Sequence, residues 1–116
     1  MKRGNVVIAD FPFQDASGSK LRPAIVVQND VDNLRLANTI VAMVTGNLRD
    51  AARSTNLFID PAMPEGASSG LHGRSVVKCS NLATIRKHRI IHTIGNLSDP
   101  LKQQLDACLK AVLELQ

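Results

Sequence analysis

The sequence contains no tryptophan and no tyrosine, and its only large aromatic residues are Phe11, Phe13 and Phe58. Proteins that hold single-stranded nucleic acid without sequence preference stack successive bases on aromatic side chains, and three phenylalanines supply few such surfaces. A broad stacking platform is therefore not expected. The apolar core must be built from valine, isoleucine and leucine.

Cysteine and histidine are also scarce. Cys79 and Cys108 are the only cysteines and have no Cys-x-x-Cys neighbour, so we expect two buried thiols rather than a disulfide. His72, His88 and His92 lack the spacing of metal ligands. We therefore predict no metal site and no cofactor.

Long apolar runs are missing as well. No stretch approaches the about 18 consecutive apolar residues of a membrane-spanning helix. We expect no membrane association and a cytoplasmic location. The sequence also lacks the Gly-x-Ser-x-Gly motif of serine hydrolases and the glycine-rich loop of nucleotide-binding proteins.

The remaining composition is that of an ordinary globular protein. The chain has 116 residues, 44% of them hydrophobic and 21% charged, which fits one domain over residues 1–116. Its 14 lysines and arginines outnumber its 10 acidic residues and give a net charge of +4. This balance favours a polyanionic partner without establishing one.

Short β-branched and apolar segments bounded by turn residues predict a succession of strands. The predicted strands are residues 4–11, 24–27, 39–45, 55–60, 74–85 and 90–97, the fifth being either one strand or two halves of a bent one. Residues 35–38 form a helical turn or an exposed connection. Gly95, inside the last strand, indicates a bulge or a close approach of another backbone.

The clearest helix is at the C-terminal end of the sequence. Ser98 or Asp99 caps it, and Pro100 lies in its first turn, where a missing N–H has no cost. Apolar residues recur there at spacings of three and four: Leu101, Leu105, Cys108, Leu109 and Val112. Without long helices between strands, antiparallel pairing is favoured, and strands of this spacing commonly curl into a small barrel.

Two polar residues lie at ends of apolar strands. Arg22 precedes Pro23, which restricts it to extended geometry at the start of a buried strand, where a guanidinium could bind a phosphate. Thr45 ends another strand and offers a hydroxyl donor on a stiff side chain. The alternatives are that Arg22 is a polar strand start and that Thr45 is a β-former at a strand end. Sequence spacing does not show whether the two residues meet.

Three segments, in order, resemble motifs of the MazF/PemK toxins. They are residues 1–12 (MKRGNVVIADFP), residues 22–27 (RPAIVV), and residues 75–78 followed by 82–85 (SVVK and LATI). Their order and spacing and the C-terminal helix extend the resemblance over nearly the whole chain.

The resemblance implies a mainly β fold, namely a small antiparallel SH3-like barrel of the PemK/CcdB type with a C-terminal helix. It also implies a metal-independent, sequence-selective endoribonuclease, the toxin of a type II toxin–antitoxin system. The catalytic residues of the family fall on Arg22 and Thr45. The implied partners are single-stranded RNA, a cognate antitoxin, a second copy of the chain in a homodimer, and operator DNA only through the antitoxin.

Two positions depart from the family pattern. Gly46 follows Thr45 where a serine is common, and Ser80-Asn81 stands where Asp-Gln is frequent. These changes bear on cleavage rate and base preference rather than on the type of reaction. We predict RNA contacts from the first loop and from two later positions: Phe13, Gln14, Ser17, Ser19, Lys20, Asn47 and Asn81. For each loop residue alone, a solvated surface position is the competing interpretation.

A non-enzymatic function on the same scaffold is the alternative. A gyrase poison of the CcdB type, or a degenerate member that only binds an antitoxin, would have a similar fold. The gyrase poisons lack the Arg–Thr pair and typically act through a tryptophan near the end of the C-terminal helix. This chain has Arg22 and Thr45 and no tryptophan, which favours the nuclease.

Overall fold

The computed structural model describes residues 1–12 and 18–116. In the described residues, strands and helices follow one another along the chain in the order β1, β2, α1, β3, β4, β5, β6 and α2, with two short 3-10 helices. Their bounds are β1 Asn5–Pro12, β2 Ser19–Val26, α1 Asp30–Arg35, β3 Asn38–Thr45, β4 Asn56–Ile59, a 3-10 helix Pro64–Ser69, β5 Ser75–Arg86, a 3-10 helix Lys87–Arg89, β6 Ile90–Asn96 and α2 Asp99–Leu113.

The six strands form one antiparallel sheet in the order β4-β5-β3-β2-β1-β6. The prediction of a mainly β, antiparallel fold with a C-terminal helix is therefore confirmed. The two edges, β4 and β6, are not paired with each other, so the barrel-like sheet is open. Only residues 13–18 separate β1 from β2, fewer than a parallel crossover needs, which explains the antiparallel pairing of these two strands.

Apolar side chains are buried on both faces of this sheet. Because successive strand residues point to opposite faces, neighbours such as Val6 and Val7 belong to different clusters. The first cluster includes the buried face of α2, with Leu101, Leu105 and Cys108. The second lies on the other face and consists of Val7, Ala9, Ala24, Val26, Val41 and Ile85. The continuous apolar run of β2 is thus buried on both sides, as its sequence predicts.

The C-terminal helix forms as its sequence pattern indicates. The side chain of Ser98 accepts a hydrogen bond from the N–H of Leu101, which satisfies one of the unpaired donors of the first turn. Pro100 lies in that turn. Glu114 ends the helix in the left-handed conformation, with φ of 55°.

Three local features differ from the sequence prediction. Strand β2 begins at Ser19 rather than at residue 24, because its exposed first half pairs with β1. Helix α1 begins at Asp30, earlier than the predicted turn, since the side chain of Asn29 caps it by accepting from the N–H of Asp32. A 3-10 helix, Pro64–Ser69, occupies the segment expected to be a loop.

Gly95 is both at a bulge and at a close approach. The register between β1 and β6 shifts between the Val6–Gly95 and Val7–Thr93 pairs, so Ile94 is the extra residue. A Cβ atom on Gly95 would overlap the backbone of Ser68 and Ser69. The prediction for this glycine is confirmed, and its reason is the 3-10 helix that packs against β6.

Both cysteines are buried thiols, as expected. Burial, with a smaller contribution from the neighbouring Cys108, raises the pKa of Cys79 to about 12. The Sγ of Cys108 donates a hydrogen bond to the backbone carbonyl of Asn56 at 3.2 Å.

None of the helices in residues 1–12 and 18–116 has the length and apolarity needed to cross a bilayer.

Candidate active site

Pro23 determines where strands β2 and β3 stop pairing. The ladder between them comprises three pairs, from Val26–Val41 to Ala24–Met43. Proline has no N–H to donate to a neighbouring strand, so it is normally excluded from the middle of a ladder. Pro23 precedes Ala24, whose pair with Met43 is the last one of the ladder with β3. Toward β1, the other neighbour of β2, Pro23 still pairs with Ile8. Beyond Pro23 the two strands are therefore not held together by hydrogen bonds.

Arg22 and Thr45 flank the opening where this ladder ends. Continued two residues past the Ala24–Met43 pair, the same register brings Arg22 opposite Thr45. Side chains opposite each other in an antiparallel pair share a face of the sheet. Alternation along the strands assigns that face to the side away from α2, where Ala24 and Val41 are buried. By this continued register, Arg22 and Thr45 fall on the same face of the sheet, next to the end of the ladder.

A short hydrogen-bonded turn holds the hydroxyl of Thr45. Its Oγ1 accepts the backbone N–H of Asn47 at 3.1 Å, and the Oδ1 of Asn47 in turn accepts the N–H of Arg49 at 3.0 Å. The bond from Asn47 uses a lone pair of Thr45 and leaves its hydroxyl proton free to be donated. A Cβ atom at Gly46 would meet no atom within 4 Å outside the neighbouring residues, so a side chain at this position would have room.

Positive charge dominates this end of the sheet. Arg22 is exposed, and so is Lys20, which lies two residues earlier on the same strand face. Within the described residues, neither forms an ion pair; the ion pairs found there are Arg3–Asp106, Arg35–Asp32 and Arg49–Asp50. An exposed guanidinium without a carboxylate partner keeps its donors available for an anion.

The other predicted RNA-contacting residues are distributed around this point. Ser19 and Lys20 are exposed at the start of β2, and Asn47 is exposed in the turn after Thr45. Asn81 is exposed in β5, where the register with β3 jumps between the Met43–Lys78 and Ala42–Leu82 pairs. The predictions for Phe13, Gln14 and Ser17 lie outside the described residues.

A small pocket brings Thr45 and Asn47 together with side chains that sequence reasoning did not select. Its volume is about 90 Å³, and Arg49, Asp50, Val76 and Lys78 complete its lining. Lys78 joins it because Val76 pairs with Thr45 and the next residue on that face of β5 is Lys78. The alternation of β5 could have indicated this face, but its pairing partner is set only by the fold.

A larger pocket opens on the opposite face. It has a volume of about 520 Å³ and contains neither Arg22 nor Thr45, although it reaches their neighbours Pro23 and Gly46. Its mainly apolar lining also includes His72, Arg74 and His92, and none of these was selected from the sequence. They come from separate segments without a shared motif. Size alone would favour this pocket, but the presence of a guanidinium and a hydroxyl on one face favours the Arg22–Thr45 end as the candidate reactive site.

The chemistry available at the Arg22–Thr45 end is that of an anion site. Arginine supplies a planar fork of fixed charge, and the threonine hydroxyl supplies one oriented donor. Such groups stabilise negative charge that develops on a phosphoryl group during displacement. In the part of the chain that the structure describes, no three histidine, cysteine or acidic side chains are grouped in a way that could hold a metal ion.

Comparisons with known proteins point in the same direction. The model of a family described as PemK-like, MazF-like toxins of type II toxin–antitoxin systems matches residues 2–113. The Bacillus subtilis protein endoribonuclease EndoA is 31% identical over 116 residues, a match covering 99% of this chain and 96% of that protein. A mycobacterial endoribonuclease solved with its cognate antitoxin superposes with a TM-score of 0.80 at 20% identity, covering 100% of this chain and 97% of the other. The Mycobacterium tuberculosis toxin MazF-mt6 has a TM-score of 0.76 at 26% identity, with 97% and 98% covered.

Proposed function

Because the chain belongs to the family of PemK-like, MazF-like toxins of type II toxin–antitoxin systems, we propose that it is an endoribonuclease that cuts single-stranded RNA at Arg22 and Thr45. The proposal includes cleavage at a preferred sequence and without a metal ion. The observation that supports it most directly is the β2–β3 register, along which Arg22 falls opposite Thr45. The relationship to endoribonuclease EndoA supports the same activity.

The proposed reaction is an internal displacement on the RNA backbone. The ribose 2′-oxygen attacks the adjacent phosphorus and forms the O2′–P bond, while the P–O5′ bond breaks. The proton of the 2′-hydroxyl leaves and one proton is delivered to O5′, so the products are a 2′,3′-cyclic phosphate and a 5′-hydroxyl. Arg22 stabilises the charge that accumulates on the non-bridging oxygens of the pentavalent intermediate.

Thr45 holds one of the same oxygens. Its Oγ1 already accepts the N–H of Asn47, so its proton points toward other acceptors. A donor fixed before the reaction does not have to reorganise as charge develops. The need for a 2′-hydroxyl also explains how such an enzyme distinguishes RNA from DNA.

The first experiment is incubation of the purified protein with mixed-sequence RNA in EDTA, followed by mapping of the new ends. We expect cuts at a preferred sequence, with 2′,3′-cyclic phosphate and 5′-hydroxyl termini. A matched oligonucleotide with a single 2′-deoxyribose at the cleavage position should remain intact. Cleavage of that oligonucleotide, or 5′-phosphate products, would contradict the mechanism.

We propose a homodimer and a cognate antitoxin as the protein partners, acting in the cytoplasm. The exposed Ile91 on edge strand β6 supports a protein contact there. The antitoxin would present an acidic segment to Arg22 and Lys20, which form no ion pair with any residue that the structure describes, and operator DNA would be bound only through it. Light scattering should give twice the monomer mass. Addition of the antitoxin should block RNA cleavage, and undiminished cleavage in the complex would argue against a shared site.

A further inference from the structure

A basic groove continues from the Arg22–Thr45 end along β5. The pocket of about 90 Å³ at Thr45 adjoins a second pocket of about 330 Å³, and the two share Lys78 and Asp50 in their linings. The second pocket adds Arg53, and the first contains Arg49. Three cations thus line the groove against one carboxylate, and Lys78 lies at its middle.

The strand register gives the position of Lys78 relative to the reactive pair. Thr45 pairs with Val76, and Met43 pairs with Lys78, so Lys78 and Thr45 are diagonal neighbours on one face. Diagonal neighbours of this kind lie about 7–8 Å apart. Lys78 also lines the second pocket, which does not include Thr45, so its ammonium can reach an anion that lies farther along β5 than the group held by Thr45.

The surroundings of Lys78 favour binding of an anion. Lys78 is half-buried, and in the described part of the chain it forms no ion pair. The carboxylate that lines both pockets with Lys78 is that of Asp50, and it lies 4.0 Å from the Nε of Arg49. A partly desolvated ammonium that lacks a carboxylate partner gains more from a bound anion than a solvated surface lysine does.

The bulge that follows Lys78 shapes this part of the groove. Between the Met43–Lys78 and Ala42–Leu82 pairs, β5 contains three residues, 79–81, that have no partner on β3. Bulges bend a strand and re-aim its side chains, and they are frequent next to active sites. Ser80 and Asn81 are exposed in this bulge, and Ser80 lines the second pocket together with Lys78.

We propose that Lys78 binds the phosphate adjacent to the scissile one, so that the RNA strand passes from Arg22 and Thr45 along β5. Arg49 and Arg53 contribute longer-range attraction on the loop side of the same groove. This inference rests on the proposed endoribonuclease function and specifies how that site takes up its substrate. Lys78 acts in binding and in positioning the strand, whereas Arg22 and Thr45 contact the reacting group.

The test compares Lys78→Gln and Lys78→Arg with Lys110→Gln, which removes the same charge from an exposed position on α2. The probe is an RNA oligonucleotide carrying the mapped cleavage sequence, made resistant by one 2′-deoxyribose at the cut. For Lys78→Gln we expect Kd to rise about tenfold, which corresponds to about 1.4 kcal/mol. The slope of log Kd against log salt should fall by about 0.7, the value for one phosphate contact on a single strand. Lys78→Arg and Lys110→Gln should stay near the parent protein.

A second arm identifies the phosphate. Each oligonucleotide carries an uncharged methylphosphonate in place of one of the two phosphates beside the scissile one. When the replaced phosphate is the one that Lys78 contacts, Lys78→Gln and the parent protein should bind the oligonucleotide with equal Kd. If the replacement raised Kd by the same factor in Lys78→Gln and in the parent protein, at each of the two neighbouring phosphates, the assignment would be overturned. An unchanged salt slope in Lys78→Gln, with a parent protein that cuts RNA, would overturn this inference alone. A parent protein that cuts no RNA would remove the proposed function and this inference together.

Discussion

The hydroxyl oxygen of Thr45 accepts the backbone N–H of Asn47 at a distance of 3.1 Å. This bond fixes the side chain at the point where β3 ends and leaves the hydroxyl proton without a partner inside the turn. The same turn is tied by the bond from the N–H of Arg49 to the Oδ1 of Asn47. Thr45 is therefore an oriented donor on a rigid strand end, which is the property that the proposed mechanism requires.

Removal of this donor should slow cleavage strongly. For Thr45→Ala we expect a single-turnover rate lower by about 10²-fold or more, since one preorganised donor to a developing charge contributes that much. Thr45→Ser keeps the hydroxyl and should retain most of the rate. The measurement is single-turnover cleavage of an oligonucleotide with the mapped sequence. Equal rates for the alanine variant and the parent protein would refute the assignment of Thr45.

Loss of the guanidinium at position 22 should have a larger effect. We expect Arg22→Ala to lower the rate by about 10³-fold or more, the order found for arginines that stabilise phosphoryl transition states. Arg22→Lys should recover little, because an ammonium lacks the planar fork of donors. Thermal melts should show that both variants fold like the parent protein.

A matched control for this experiment is Arg35→Ala. Arg35 is exposed at the end of α1, the helix between the last residue of β2 and the first residue of β3, away from the Arg22–Thr45 end. Its only ion pair in the described residues is a 3.9 Å contact with Asp32. We expect this variant to cleave at the parent rate. If Arg22→Ala were no slower than Arg35→Ala, Arg22 would not be catalytic.

Gly95→Ala should destabilise the protein without involving the proposed site. The added methyl group would overlap the backbone of Ser68 and Ser69, and the backbone of this 3-10 helix, packed against β6, cannot move aside easily. We expect the free energy of unfolding to fall by about 1–3 kcal/mol. Gly73→Ala is the control, because no atom lies within 4 Å of the position that its methyl group would take, and it should change stability by less than about 0.5 kcal/mol. Urea unfolding measures both, and equal midpoints would contradict the packing argument.

Stability should decline in alkaline solution through Cys79. Burial raises the pKa of this thiol to about 12 from an ordinary value of 9.0, so the folded protein retains the proton after the unfolded chain has released it. The contribution of this buried thiol to the free energy of unfolding is complete below about pH 9. It is lost as the pH rises toward 12, by at most about 1.4 kcal/mol per pH unit for one proton. Urea unfolding at about pH 8.5 and about pH 10.5, on either side of the ordinary thiol pKa, gives the slope of unfolding free energy against pH. Cys79→Val should remove the part of this slope that comes from the thiol. Parallel slopes for the two proteins would contradict it.

Much of the fold follows from local sequence. Alternating and continuous apolar segments predict the strands, because burial of valine and isoleucine on one or both faces of a sheet is set by their spacing along the chain. Ser98, Pro100 and the leucines at helical spacing determine the start and the buried face of α2. The sequence also identifies Arg22 and Thr45 as polar residues at strand ends, and the match of the family model to residues 2–113 identifies the family.

Features that depend on pairing between distant segments could not be read in this way. The β2–β3 register, continued past its last pair, assigns Arg22 and Thr45 to one face, and the β3–β5 register makes Lys78 a diagonal neighbour of Thr45. The role of Gly95 depended on a 3-10 helix that ends at Ser69, far earlier in the chain. Side-chain spacing along one strand decides which residues share a face, because that alternation is local. Which faces meet, and at which residues, is decided only when the hydrogen-bond ladders between strands form.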